Sequence, residues 1–240
     1  MKFNTIIILL LIFISSCENE DDFNPSTLAE NFNLRIENDN PPADMISEIA
    51  VIAEFPVNFN TEDDSKVDFL IFKEEREEMS SDIVLTEDNG NNVKQAELLV
   101  SYNRDTPIIV EGTISINGTV ISKEVEITFS KAYPDSINVK SSSLTITPNS
   151  FEEIEITTEL LRNIGNVSLN TIAETRVVDT NGTTRGIFNN YQNRTDSNGK
   201  IINKLTMGND TYEGMLFVIS SVINEENEIK TDTLTIYSQN

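Results

Sequence analysis

The chain has 240 residues, with 17 Lys and Arg against 40 Asp and Glu, a single Cys, and neither His nor Trp. A formal charge of −23 repels other polyanions, and counterion-release binding to nucleic acid needs clustered Lys and Arg, so nucleic acid and anionic lipid surfaces are not expected partners. Without His there is no Ser-His-Asp triad, no Cys-His nucleophile pair and no ordinary zinc site, so the chain reads as a non-enzyme with no cofactor.

At the start of the chain, Lys2 precedes an unbroken apolar run over 6–14, which ends in Ser15-Ser16-Cys17 and is followed by Glu18-Asn19-Glu20-Asp21-Asp22. The run is too short to cross a bilayer core, which needs about 20 residues, and it has the layout of a removable export signal. Ile14-Ser15-Ser16-Cys17 resembles the cleavage box of bacterial lipoprotein signal peptides. That resemblance implies loss of residues 1–16, a diacylglycerol thioether on Cys17 and a mature chain beginning there. Two or three acyl chains, at about 0.8 kcal/mol per buried methylene, would hold it stably on a membrane. The acidic stretch after Cys17 resembles the export tag of Bacteroidetes surface lipoproteins. It implies the outer face of the outer membrane, with a periplasm-facing anchor as the alternative. Residues 17–32 are polar and acidic with one Pro and read as a flexible tether, reaching roughly 55 Å at about 3.5 Å per residue.

From residue 33 the pattern is strand and turn. The stretch Lys73-Glu74-Glu75-Arg76-Glu77-Glu78-Met79 has too few apolar residues to pack as a core helix and reads as a charged loop or a short helical turn. Ile114-Ser115-Ile116, Asn117-Gly118, and the alternating Val125, Ile127 and Phe129 specify a β-hairpin, because both positions of an Asn-Gly turn take positive φ. The strand patterns at 215–219 and 234–237 flank a second polar turn at 224–227. Asn89-Gly90 and Asn198-Gly199 are 109 residues apart, and Leu34-Arg35-Ile36 precedes Leu144-Thr145-Ile146 by 110. A period near 109 implies two copies of one domain, 33–131 and 132–240, divided near Pro134.

About seven short strands per copy, with no helices between them, predict an all-β fold of two tandem immunoglobulin-like β-sandwiches. Thr175-Arg176-Val177-Val178-Asp179-Thr180-Asn181-Gly182, Thr195-Asp196-Ser197-Asn198-Gly199-Lys200, then Thr206, Gly214 and the β-branched stretch at 216–220 resemble the bacterial immunoglobulin-like domains of invasin and intimin. The resemblance covers residues 136–240 well and the first copy loosely.

Asp179-Thr180-Asn181-Gly182 and Asp196-Ser197-Asn198-Gly199 open like calcium loops but lack the later ligands, so they read as Asx turns and no metal site is expected. Glu62-Asp63-Asp64 and Glu225-Glu226 read as solvated loop tips. Tyr191, in a polar stretch, is the candidate aromatic ligand contact, against the commoner role of packing over a loop. Asp135-Ser136-Ile137 and Asp232-Thr233-Leu234 match the O-glycosylation acceptor of Bacteroidetes, making Ser136 and Thr233 candidate sites. The expected function is a lipid-anchored envelope protein whose sandwiches act as spacer and binding module, in adhesion or envelope assembly. Its partners would be membrane lipid through Cys17 and a surface protein or glycan. The alternative is a glycan-binding accessory lipoprotein of a nutrient-uptake system, against which the absence of Trp counts.

Overall fold

The computed structural model describes residues 29–55, 66–88, 91–116 and 118–240, and these form two β-sandwiches in tandem. In the first, one sheet has the order β1 (Asn33–Glu37), β2 (Glu48–Phe55), β6 (Asn91–Ser101), β5 (Val84–Asp88). The facing sheet has the order β4 (Arg76–Asp82), β3 (Lys66–Phe72), β7 (Ile108–Ile116), β8 (Thr119–Ile127). All of these pairings are antiparallel. In the second, β13 (Ile187–Asn189), β14 (Lys200–Thr206), β11 (Glu153–Leu161) and β9 (Ser136–Ser141) form one sheet. The other runs β10 (Thr145–Ile146), β16 (Ile229–Ser238), β15 (Gly214–Ile223), β12 (Ala173–Asp179), with β10 joining β16 in parallel.

Alternation explains the layers. Along β11 and β12 buried and more exposed positions alternate, so each strand contributes one apolar face to the space between sheets. The first core centres on Phe32, Phe69, Ile71, Ile49 and Ile127, with Phe32 stacked on Phe55 at 5.1 Å between ring centroids. Burying each such side chain stabilises by about 1.5–3 kcal/mol. In the second sandwich Ile156, Val177, Leu205, Leu216 and Ile236 pack in one cluster and Leu160, Val167, Ile201 and Val222 in another.

The two sandwiches share most of one strand plan, with β4, beside β3, and β10, beside β16, as the strands without a counterpart. β1 and β9 start at 33 and 136, β2 and β11 at 48 and 153, β6 and β14 at 91 and 200, β8 and β16 at 119 and 229, so these counterparts lie 103 to 110 residues apart. The Asn-Gly spacing captured this period. The pairing of Leu34-Arg35-Ile36 with Leu144-Thr145-Ile146 did not: the former lies in β1 against β2, whereas Thr145 and Ile146 lie beside β16. The true counterpart of β1 is β9, the partner of β11. The charged stretch 73–79 also differs from expectation. Its second half is strand β4, paired residue for residue with β3 and exposed along most of its length, so hairpin hydrogen bonds rather than an apolar face hold it. The hairpins β7–β8 and β15–β16 are as the sequence specifies, with Gly118 at φ 79° and Asn227 at φ 61°. Asn117 and the turn at 89–90 lie outside the described residues.

Candidate functional site at the loop end of the second sandwich

β11 and β15 run between the two ends of the second sandwich. The end bearing residues 162–170 contacts the first sandwich, where the Asn166 and Leu169 N–H groups donate to the Asp44 and Asn103 carbonyls at 2.9 and 2.7 Å. The opposite end therefore presents the free loops: 147–152, 180–186 and 207–213. These loops are cross-braced. The Asn149 N–H donates to the Asp210 carbonyl at 2.7 Å, and the Thr206 hydroxyl to the Ser150 carbonyl at 2.9 Å.

Asp179 organises the middle loop. It is 2 % exposed; its Oδ1 accepts the N–H groups of Asn181 and Thr183 at 2.8 and 3.0 Å, and its Oδ2 accepts Nε and Nη2 of Arg185, both at 2.9 Å. Desolvation pushes this carboxyl up. The Thr183 and Asn181 amides and the Arg185 guanidinium outweigh it and hold the group below the usual carboxylate range. Arg185 also lies 4.6 Å over the Tyr212 ring and reaches Asp210 Oδ1 at 3.5 Å. The Asp-Thr-Asn-Gly motif is thus an Asx turn tied to an arginine. Asp196 likewise accepts the Asn198 and Lys200 N–H groups at 2.8 and 2.9 Å on one oxygen. Among the described residues, no group of three or more Asp, Glu, His or Cys side chains is placed to hold a metal.

On this braced end two large apolar side chains face solvent. Phe151 is 72 % exposed and Ile187 57 %. Gly208 lies between them: a Cβ there would stand 3.5 Å from Ile187 Cδ1 and 3.7 Å from Phe151 Cε1. Phe151 stands on a loop held by hydrogen bonds and Ile187 on the paired strand β13, so their exposed apolar groups present a contact surface that needs little ordering to bind. Sequence reading missed this pair, because neither residue sits in a motif, Phe151 lies in a loop, and the three-residue strand β13 is too short to show alternation.

Of the sequence-predicted residues, Ser136 and Thr233 stand on β9 and β16, which a side-chain hydrogen bond joins, while Tyr191 lies against β12. The Tyr191 hydroxyl accepts the Thr175 N–H at 2.9 Å, on the outer edge of β12, while its ring stands 5.6 Å from Phe188. Ser136 is exposed at the start of β9 and Thr233 is exposed within β16. Both neighbouring carboxylates are engaged: Asp135 Oδ2 accepts the Asn163 N–H and Asp232 Oδ2 the Val139 N–H, each at 2.7 Å. Glu225 and Glu226 are exposed in the turn between β15 and β16. Cys17 and Glu62-Asp63-Asp64 lie outside the described residues. No described helix is long and apolar enough to cross a membrane.

No protein-family model matches the sequence, and no curated protein matches it. Solved structures do. The fold is similar to that of the Yersinia pseudotuberculosis adhesin InvE, at 14 % identity and a TM-score of 0.53, over 89 % of this chain and 61 % of InvE. It is also similar to invasin, a bacterial integrin-binding protein, at 14 % identity and a TM-score of 0.55, over 86 % of this chain and 39 % of invasin. This chain therefore spans less than two thirds of either structure. The likeness establishes the class: tandem all-β sandwiches with the immunoglobulin-like fold found in invasin-type adhesins.

Proposed function

We propose that this protein is a lipid-anchored component of the bacterial cell envelope, in which Cys17 carries the lipid, residues 17–28 form the tether, and two sandwiches project an adhesion-type contact surface. The tether is shorter than the 17–32 expected from sequence because Phe32 belongs to the first core with Ala29 packed against it. The observation that carries the reading is the exposed pair Phe151, on a hydrogen-bonded loop, and Ile187, at the start of β13, at the end farthest from the tether. The fold's likeness to adhesins supports it. Ser136 and Thr233, both exposed, are the positions at which this reading expects glycan, checked by intact mass.

Two measurements test it. Cys17→Ala moves the protein from the membrane fraction to the soluble fraction without unfolding it; retention in the membrane defeats the anchoring model. Cells displaying the protein are then compared with cells displaying the double variant Phe151→Ser, Ile187→Ser for attachment to host-cell and extracellular-matrix surfaces. Loss of attachment in the folded variant supports the loop end as the contact surface, and equal attachment places contact elsewhere.

A further inference from the structure

The joint between the sandwiches contains a crevice of about 230 Å³, built by loops that come from both sides. Arg104 follows β6, Lys131 lies in the connection between sandwiches, and Arg194 precedes β14; all three line it. Convergence of three cations is unusual in a chain with 17 basic and 40 acidic residues, where most cations find a carboxylate. Lys66, Lys73, Lys140, Arg185, Lys200, Lys204 and Lys230 each do so. Lys131 and Arg194 have no carboxylate partner among the described residues. Lys131 lies 5.0 Å over the Tyr133 ring, and Arg194 Nη1 donates weakly to the Asn170 carbonyl at 3.4 Å. Arg104 pairs with Glu74 through Nη2, yet its buried Nε–H has no acceptor. An oxyanion in the crevice supplies a counter-charge to Lys131 and Arg194, which have none among the described residues.

The rest of the lining is not that of a plain anion hole. Asp105, Thr106 and Asn170 bring a carboxylate, a hydroxyl and an amide to the same space, groups that accept and donate to hydroxyls. Leu169 and Ile172 add apolar surface, against which a ring's C–H face can rest. The volume is below the roughly 300–1,000 Å³ of sites for larger ligands, so the crevice fits one ring rather than an extended chain. A polyanion is disfavoured by the chain's overall charge. One carboxylate is not, since at physiological salt charges more than about 8 Å away are largely screened and the local cations dominate.

We infer that the joint is a binding site for a singly charged acidic sugar, with its carboxylate at Lys131, Arg194 and Arg104 and its hydroxyls at Asp105, Thr106 and Asn170. Because the lining comes from both sandwiches, occupancy also ties them together. The site is independent of the contact surface proposed at the loop end.

The test is titration of the full chain, solubilised in a non-ionic detergent, with glucuronate, glucose, acetate and a tetraglutamate peptide, followed by calorimetry and by the backbone amide resonances of Leu169 and Asn170. Glucuronate shifts these resonances; glucose, lacking the charge-assisted bonds, binds about tenfold more weakly or worse. The double variant Lys131→Gln, Arg194→Gln keeps the native amide spectrum elsewhere and loses the glucuronate response. Four results overturn the inference: no shift at 169–170 with glucuronate, an unchanged response in the double variant, acetate binding as tightly as glucuronate, or tighter binding of the acidic peptide.

Discussion

Ser220, Thr158 and Thr175 form a closed ring of hydroxyls at the centre of the second sandwich. Their oxygens are 2.8, 2.8 and 3.2 Å apart, and all three residues are buried. Each hydroxyl has one proton and spare lone pairs, so a three-membered ring satisfies every donor. Thr158 belongs to β11, and Thr175 and Ser220 to β12 and β15, so the ring joins the two sheets. Removing one member leaves a buried donor unmatched, and Ser220→Ala should cost about 1–2 kcal/mol in urea unfolding. The triple variant Thr158→Val, Thr175→Val, Ser220→Ala should cost less than the sum of its singles, because no polar group remains to satisfy. Additive losses would show that the ring does not act as a unit. Asp179 gives a pH signature. Its folded carboxyl holds a proton less readily than the unfolded one, so the unfolded state binds more protons as acidity rises. Its contribution is complete above the ordinary carboxylate range and is lost as pH falls through that range toward the folded value. Glu159, held down chiefly by the hydrogen bond from Lys140, acts with the same sign. Asp179→Asn should lower the melting temperature at pH 7 by a few degrees and reduce the fall in melting temperature between pH 5 and pH 3; an unchanged acid profile would contradict this.

At the level of strands, stability should follow the order within each sheet. β4 stands at the edge of its sheet, bonded on one side to β3 and mostly exposed, whereas β7 lies between β3 and β8 with its alternate residues buried. Amides of β4 should exchange with solvent at least about a hundredfold faster than those of β7, since edge hairpins open without global unfolding. Equal protection would mean that the sandwich opens only as a whole. The same contrast explains what could be read from the chain. β7 and β8 were legible because burial imposes period-two alternation and the turn imposes Asn-Gly. β4 was not, because a strand with no buried face carries no hydrophobic pattern, and its Glu-rich composition favours helix or loop locally. The Asx turns at Asp179 and Asp196 were legible for local reasons. Arg185, which completes the first, was not, since an ion pair between loop residues leaves no periodic trace. Phe151, Ile187 and the cations at the joint depend on which loops meet in space, and that is a property of the sandwich ends rather than of any one segment.

The orientation of the two sandwiches rests on a small set of backbone and side-chain contacts around Asp44, and one of them can be tested without touching either core. Asp44 is 1 % exposed; its Oδ1 accepts the N–H groups of Ile46 and Ser47 at 3.1 and 2.7 Å, and its carbonyl accepts the Asn166 N–H at 2.9 Å. Arg162 Nη2 from the second sandwich stands 3.9 Å from its Oδ2. Ser168 fastens the neighbouring strand of contacts, accepting the Ala132 N–H at 2.8 Å and donating to the Ala43 carbonyl at 3.2 Å. Gly165 packs directly against Asp44: a Cβ there would lie 2.8 Å from both Cβ and Cγ of the aspartate, and its φ is 72°. Asp44 cannot swing aside without breaking its bonds to Ile46 and Ser47, so the clash must be relieved by separating the sandwiches. Gly182 supplies the control, with a φ of 79° and nothing within 4 Å of its would-be Cβ. Both Gly→Ala changes carry the left-handed penalty of about 1–2 kcal/mol, and only Gly165→Ala adds the collision. Small-angle scattering should therefore show a broader distribution of interatomic distances for Gly165→Ala and none for Gly182→Ala, with faster proteolysis at 128–135 in the former alone. If Gly165→Ala scatters like the unaltered protein, this contact does not set the angle, and the bonds of Ser168 and Leu169 would have to hold the joint by themselves.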